Sequence, residues 1–389
     1  MPSTPAAPDT LLLCLSHLRW NFVLQRPQHL LSRAAKQWPV VFYEEPIYRD
    51  DIAVARLDVS HPVAGVSVAV PLLPAGTSPQ EAVRHQRRLL DQLLAGFAPE
   101  RLVAWFYTPM AMAFASHLSP DVVVYDCMDQ LASFRGAPPE LVRFERQLMQ
   151  RADLVFTGGQ SLFEAKRGMH PRVSCFPSSI DVNHYRPARG QLEEPAEMAA
   201  LPRPRLGFFG VVDERMDLAL LDQMAELRPH WSFVMIGPVV KISEAELPRR
   251  ANIHWLGGRR YDELPRYLGH WDIGLMNFAL NESTRYISPT KTPEFLAAGL
   301  PVVSTPIVDV VRGYGNQGLV EIASDALQAV AAAEHLLARP RQPWLAKVDR
   351  ALAQSSWDRT WAEMQAQIVG VLENNAVPVT ARAGVRTHA

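Results

Sequence analysis

The residues best suited to chemistry lie in one stretch, Ser288-Pro-Thr-Lys-Thr-Pro-Glu-Phe-Leu-Ala-Ala-Gly-Leu-Pro-Val-Val-Ser-Thr305. It reads as a polar loop, a short helix and a buried strand. Pro289 and Pro293 suit a first helical turn, and Ser288, Thr290 and Thr292 are candidate N-caps. Gly299 stops the helix and Pro301 leads into apolar Val302-Val303. A helix N-terminus offers unpaired backbone N–H groups and a positive dipole end. Lys291 adds a full positive charge there, and Glu294, three residues on, shares its helical face. A cation suits phosphate and a carboxylate suits ribose hydroxyls, so this pair can hold a nucleotide. A capped helix with a solvated Lys–Glu pair is compatible with the same residues.

Such a loop works only if α/β elements position it, and the chain supplies them. The 389 residues lead us to expect two domains, and 48% hydrophobic with 20% charged residues is ordinary for a globular protein. Short apolar runs at 11–16, 40–43, 67–71, 102–107, 122–125, 154–157 and 173–176 read as strands. Helical patterns at 28–37, 79–94 and 139–150 fall between them. Buried strands alternating with helices predict a parallel sheet covered on both faces. Residues 183–204, rich in Pro, Glu, Ala and Arg, read as a linker. A second series follows, with strands at 206–209, 232–236, 253–255 and 273–276 and helices at 217–226, 262–268, 326–338 and 344–352. A long helix at 356–374 precedes an aperiodic tail, 375–389, expected to be disordered. The expected fold class is α/β: two doubly wound domains, 1–182 and 205–355, facing across a cleft that holds the ligand at the strand C-terminal ends.

The bulk numbers narrow the partners. A net charge of -1 argues against nucleic acid. Three cysteines without metal-ligand spacing, Cys14, Cys127 and Cys175, suit reduced thiols and a cytoplasmic setting. No basic segment precedes an apolar core at the N-terminus, so no secretion signal is expected, and no apolar run approaches the roughly 18 residues of a membrane span. Peripheral membrane contact stays open.

The second half resembles the nucleotide-sugar-dependent glycosyltransferases of GT-B fold, in the glycogen-synthase-like superfamily (group 1, family 4-like). The resemblance is carried by Gly207-Phe-Phe-Gly210, Phe233-Val-Met-Ile-Gly-Pro238, Asn252-Ile-His-Trp-Leu-Gly257, Trp271-Asp-Ile-Gly-Leu275 and the stretch from Pro289 to Thr305. Arg26-Pro-Gln-His29 and Tyr125-Asp-Cys-Met-Asp129 extend it to the first half. It implies an acceptor-side first domain, a donor-side second domain, and a final helix crossing back to the first. It also implies that Glu294 binds ribose, that Lys291 contacts the diphosphate, and that Ser288 and Thr290 lie on the donor. Two departures stand out. Tyr286 occupies the position, eight before Glu294, where many relatives carry a glutamate near the donor sugar. In the loop after Gly210, Val211-Val-Asp-Glu-Arg215 offers one cation, Arg215, where relatives often have an Arg and a Lys.

Sugar transfer from a nucleotide requires charge stabilisation on the leaving diphosphate. Without a metal this falls to Arg, Lys and helix N-termini, so Lys291, Arg215 and Arg26 are expected to meet across the cleft. Arg26 is also readable as a surface salt-bridge residue. Gly210 permits close approach to phosphate or makes a tight turn. An acceptor hydroxyl needs a general base, and Asp129 is the candidate, with Asp126 beside it; either can instead cap the next segment. His29 is a candidate hydrogen-bonding residue or a packed ring, and His17 and Trp20 flank a potential sugar platform. Asp50-Asp51 lacks a third ligand, so no metal or other cofactor is expected. Trp357 and Trp361, spaced i,i+4, predict a core-facing stripe. Arg84, Arg87 and Arg88 read as a solvated helix face that can also meet an anionic surface.

The expected function is sugar transfer from a nucleoside diphosphate sugar, with UDP the first choice, to a glycan or lipid-linked hydroxyl in bacterial surface polysaccharide assembly. A nucleotide-sugar epimerase and a non-catalytic nucleotide-sugar-binding protein are the alternatives.

Overall fold

The computed structural model describes residues 9–376. Their strands form two sheets. The first has nine strands: Ile47–Arg49, Val66–Pro74, Val40–Tyr43, Thr10–Leu15, Arg101–Phe106, Val122–Cys127, Leu154–Thr157 and Val173–Cys175 in spatial order, with Arg56–Val63 antiparallel to Val66–Pro74 at the edge. The second has six parallel strands: Ile253–Gly257, Ser232–Ile236, Arg205–Phe209, Ile273–Met276, Val302–Ser304 and Glu321–Ile322. In each, the first strand in the chain sits inside the sheet, with later strands added on one side and then the other. That reversal opens a crevice at the strand C-termini, where ligands of open α/β sheets bind.

The apolar runs explain the central strands. Thr10–Leu15, Val40–Tyr43 and Arg205–Phe209 are buried along their whole length, as strands covered on both faces must be. Helices Arg26–Ala34, Pro79–Phe97, Leu141–Arg151 and Gln160–Lys166 accompany the first sheet, and Leu218–Leu227, Lys291–Ala297 and Ala326–Ala338 the second. Ser78 caps Pro79–Phe97 by accepting from the Glu81 amide, and Glu81 reaches back to Ser78.

Three expectations need correction. Residues 183–204 are not a free linker: they take in most of helix Val182–Tyr185 and all of Ala196–Ala199, and Tyr185, Ala188 and Met198 lie in the second domain's core. The strand Arg56–Val63 was not anticipated; it is almost wholly exposed, so it lacks the apolar run that marks a buried strand. The last helix spans Trp357–Ala376, which includes the first two residues of the expected tail; 377–389 lie outside the described residues. That helix does return to the first domain. Trp357, Trp361, Met364 and Ile368 are buried there against residues such as Leu12, Trp105 and Val124. Trp361 lies 6.0 Å from Trp38 and 6.3 Å from Trp105, ring centre to ring centre, which is the stripe the i,i+4 spacing predicts.

Candidate functional site

Two adjoining cavities occupy the cleft between the domains. The larger, about 560 Å³, is lined from the first domain by residues 20–24 and from the second by Phe209, Gly210, Gly237, Tyr261, Lys291 and Glu294, among others. The smaller, about 160 Å³, is lined by Asp129, Arg215, Ser288, Thr290 and neighbours. Val23, Leu24, Gly210 and Lys291 line both. The larger is of the size that takes a small organic ligand.

The helix predicted at the start of the 288–305 stretch is Lys291–Ala297. Its capping differs from expectation. Thr290 is the N-cap residue but makes no side-chain cap, and Thr292 is fully buried with its hydroxyl on Met276 Sδ, 3.2 Å away. The helix is therefore held by packing rather than by a hydroxyl cap. Its other end is closed by the Arg189 guanidinium, which donates to the carbonyls of Leu296 and Ala297. Lys291 Nζ donates to Glu294 Oε2 at 2.8 Å and lies 4.5 Å from the centre of the Phe209 ring. Glu294 is 8% exposed, so the pair is a half-buried, prepositioned cation and carboxylate rather than a solvated one.

The opposite wall depends on a close backbone crossing. Gly210 and Gly237 end neighbouring strands with φ of 142° and 149°. A Cβ on Gly237 would lie 1.7 Å from the Gly210 carbonyl oxygen. Gly237→Ala is therefore expected to force these loops apart. The unfavourable φ alone costs about 1–3 kcal/mol, and the clash adds to it. The expected outcome is a lower Tm; an unchanged melting curve would contradict it.

Arg215 is partly buried and its guanidinium is clamped on Asp213, with Nη2 2.6 Å from Oδ2 and Nε 2.9 Å from Oδ1. Its carbon end lies 5.6 Å from the Phe134 ring of the first domain, and Lys241 Nζ lies 5.0 Å from the same ring. The cation predicted from the loop after Gly210 thus sits at the smaller cavity, aimed by a carboxylate.

Asp129 follows strand Val122–Cys127 and reaches the same cavity half-buried. Burial, the largest influence, pushes its carboxyl up to about 6, against the pull of Arg215, Arg26 and Lys241. A carboxyl titrating near neutrality beside fixed cations can exchange a proton with a bound hydroxyl.

Three expected site residues have other places. Arg26 is 1% exposed and forms a bidentate pair with Asp126, Nε and Nη2 each 3.0 Å from a carboxylate oxygen, while Nη1 donates to the Phe176 carbonyl at 2.7 Å. Burial pulls the guanidinium down and Asp126 more than offsets it, so Arg26 stays charged as an internal strut. It borders the smaller cavity, but each of its nitrogens already has an acceptor there. His29 lines neither cavity. Its ring stacks on Trp357, centroids 4.8 Å apart, and meets Tyr261 edge-on at 5.9 Å. Burial first, then Arg33, His184 and Lys291, push it down to about 3, so it is neutral and acts as packing where the last helix meets both domains. Tyr286 also lines neither cavity; it packs against the first domain's core under Arg285. The smaller cavity is bordered instead by Ile287 and Ser288.

Sequence reasoning missed the contacts that join the domains. Asp309 accepts from the Ser161 amide at 3.0 Å and from its hydroxyl, so the second domain caps a first-domain helix; Arg312 pairs with Glu164 at 2.8 Å beside it. Nothing in the local pattern at Asp309 distinguishes this from an ordinary acidic first turn. Among the described residues no cluster of three or more His, Cys, Asp or Glu is arranged for a metal, and no described helix is long and apolar enough to cross a membrane.

Comparison with known proteins agrees with this architecture. Residues 203–339 match the model of the family described as glycosyl transferases group 1. A Bacillus subtilis (strain 168) protein, described as the teichuronic acid biosynthesis glycosyltransferase TuaH, is 28% identical over 234 residues; the match covers 56% of this chain and 59% of that protein. The chain thus spans somewhat over half the length of this curated relative. Among solved structures, a sucrose-phosphate synthase from Thermosynechococcus elongatus superposes with a TM-score of 0.69 at 14% identity, over 94% of this chain and 100% of the other. An E. coli trehalose-6-phosphate protein bound with UDP-2-fluoro glucose gives 0.67 at 11%, over 93% and 99%. A UDP-forming trehalose-phosphate synthase from Burkholderia xenovorans, in complex with glucose-6-phosphate, gives 0.67 at 12%, over 93% and 100%. At these identities the structures speak for the fold, two Rossmann-like domains facing across a cleft. The family match falls on the second of those domains, so the likeness to the group 1 glycosyltransferases rests on residues 203–339, while the GT-B fold extends over both domains.

Proposed function

We propose that the protein transfers a sugar from a nucleoside diphosphate sugar, UDP being the first candidate, to a hydroxyl of a glycan or lipid-linked acceptor in surface polysaccharide assembly. The observation that carries this reading is the Lys291–Glu294 pair on the wall of the larger cavity, directly beside a smaller one holding Asp129 and Arg215. Glu294 accepts from the ribose hydroxyls. Lys291 and Arg215 meet the diphosphate and stabilise the charge that grows on it, without a metal or other cofactor. Thr290, Ser288 and the Gly210 backbone line its path. Asp129 takes the acceptor proton as the new O–C1 bond forms and the C1–O bond to the diphosphate breaks. The names of two structural neighbours, which mention UDP, support the nucleotide, and the TuaH name supports the polysaccharide context. Work at the cytoplasmic face of a membrane accords with the exposed Arg84, Arg87 and Arg88.

Calorimetry with UDP, GDP, ADP and TDP, with and without Mg²⁺, tests the donor site. Each charged hydrogen bond contributes about 1.5–3 kcal/mol, so Lys291→Ala and Glu294→Ala should each raise Kd by roughly 10–100-fold. One nucleotide should bind the wild type with or without metal. If none binds, or if both variants bind as tightly as wild type, the donor assignment fails.

A further inference from the structure

A third cavity, about 310 Å³, lies in the first domain at the C-terminal ends of strands Thr10–Leu15, Val40–Tyr43 and Arg101–Phe106. Tyr43, Tyr48 and Phe114 give it aromatic walls; Tyr48 is half exposed, and Tyr43 and Phe114 lie 5.7 Å apart. Its polar groups include Glu44, Glu45 and Thr108. No lysine, arginine or histidine is among the described residues that line it. The nearby cation, Arg19, is engaged by the Glu44 carboxylate and by the carbonyls of Glu45 and Pro46. Arg84 and Arg87 lie on the adjoining helix but do not line the cavity.

The cavity is tied to the cleft through one side chain. Glu44 is buried, and its Oε1 accepts from the amide of Trp20 at 2.8 Å, while Trp20 itself lines the larger cleft cavity. The segment that carries Trp20 therefore has the donor cavity on one side and this one on the other. A ligand here is separated from the reacting centre by that segment, but it can belong to the same extended molecule.

We infer that this cavity is an acceptor subsite for an uncharged sugar residue set back from the reacting hydroxyl, which makes it a determinant of acceptor choice. The inference rests on the sugar-transfer reading above. Aromatic faces with a few hydrogen-bonding groups suit the apolar face and hydroxyls of a sugar ring. Carboxylates without a free cation disfavour a phosphorylated or acidic one, because an anion there would meet like charge with nothing to offset it.

Saturation-transfer NMR on the full chain tests this, with maltotriose, chitotriose, glucose 6-phosphate and dodecylphosphocholine as probes. At least one neutral trisaccharide should receive saturation, and Tyr48→Ala should raise its Kd about tenfold. Glu45→Gln, on an exposed side chain, should weaken it less. Nucleotide binding, read in the same samples, should be unchanged in both variants. Saturation of glucose 6-phosphate alone, or of the dodecyl chain alone, overturns the inference. So does trisaccharide binding that Tyr48→Ala leaves untouched, or no binding by any probe. If nucleotide fails to bind while a trisaccharide binds through Tyr48, the sugar subsite stands and the donor reading falls.

Discussion

Asp129→Asn is expected to abolish turnover and raise stability at the same time. A positioned general base contributes about 10²–10⁴-fold, so kcat should fall by that order while donor nucleotide binding stays within a few-fold of wild type. The stability change has a definite sign. The Asp129 carboxyl sits at about 6 in the folded chain, above the ordinary 3.8, because burial disfavours its charge. Such a group favours the fold fully below the unfolded value and loses that favour as pH rises through about 6. At neutral pH the ionised carboxylate is thus a liability, which the neutral amide removes. The Tm of the Asp129→Asn protein should exceed that of wild type near pH 7.5 and converge on it near pH 4. The wild-type pH–rate profile should show an acid limb near 6, since only the deprotonated carboxylate can accept the proton. Full activity in the variant, or a lower Tm at pH 7.5, would remove Asp129 from this role.

The second large effect concerns Arg26. Arg26→Ala leaves Asp126 fully buried with no counter-charge, and Asp126→Asn strands the guanidinium. Breaking a buried pair from one side costs about 3–5 kcal/mol. For a domain the size of the first one that corresponds to a Tm drop of roughly 6–20 °C. The double change Arg26→Met with Asp126→Leu should recover much of the loss, because no lone charge remains. Calorimetric unfolding of the three variants is the check. A stable Arg26→Ala protein with weakened nucleotide binding would return Arg26 to the phosphates and contradict the strut.

Both effects show where local pattern stops being informative. Arg26 and Asp126 lie 100 residues apart, and each was readable as a cleft residue, since each follows or adjoins a strand end. Whether a guanidinium at that place meets a ligand or an internal carboxylate depends on what the next strand presents to it. His29 is a parallel case. Its position early in a helix was visible, but Trp357, which covers its ring, arrives from the far end of the chain. Tyr286 shares the loop of Ser288 and Thr290, yet its side chain turns to the first domain's core while theirs line the cleft. Asp309 gave no signal because its partner, Ser161, belongs to the other domain.

By itself the sequence determined the α/β alternation and the Lys291–Glu294 pair. Apolar runs of four to six residues bounded by turn signals and alternating with helical patterns suit strands covered on both faces, and a cation three residues before a carboxylate on one helix must share its face. Local periodicity and local spacing suffice for those. Only the tertiary structure decided which charged groups face the cleft and which face one another. It sent Arg26 inward to Asp126, left Arg215 and Lys291 at the cavities, and put Asp129 where burial raises its carboxyl. A charge's role depends on desolvation and on partners far along the chain, and neither is written in the residues beside it.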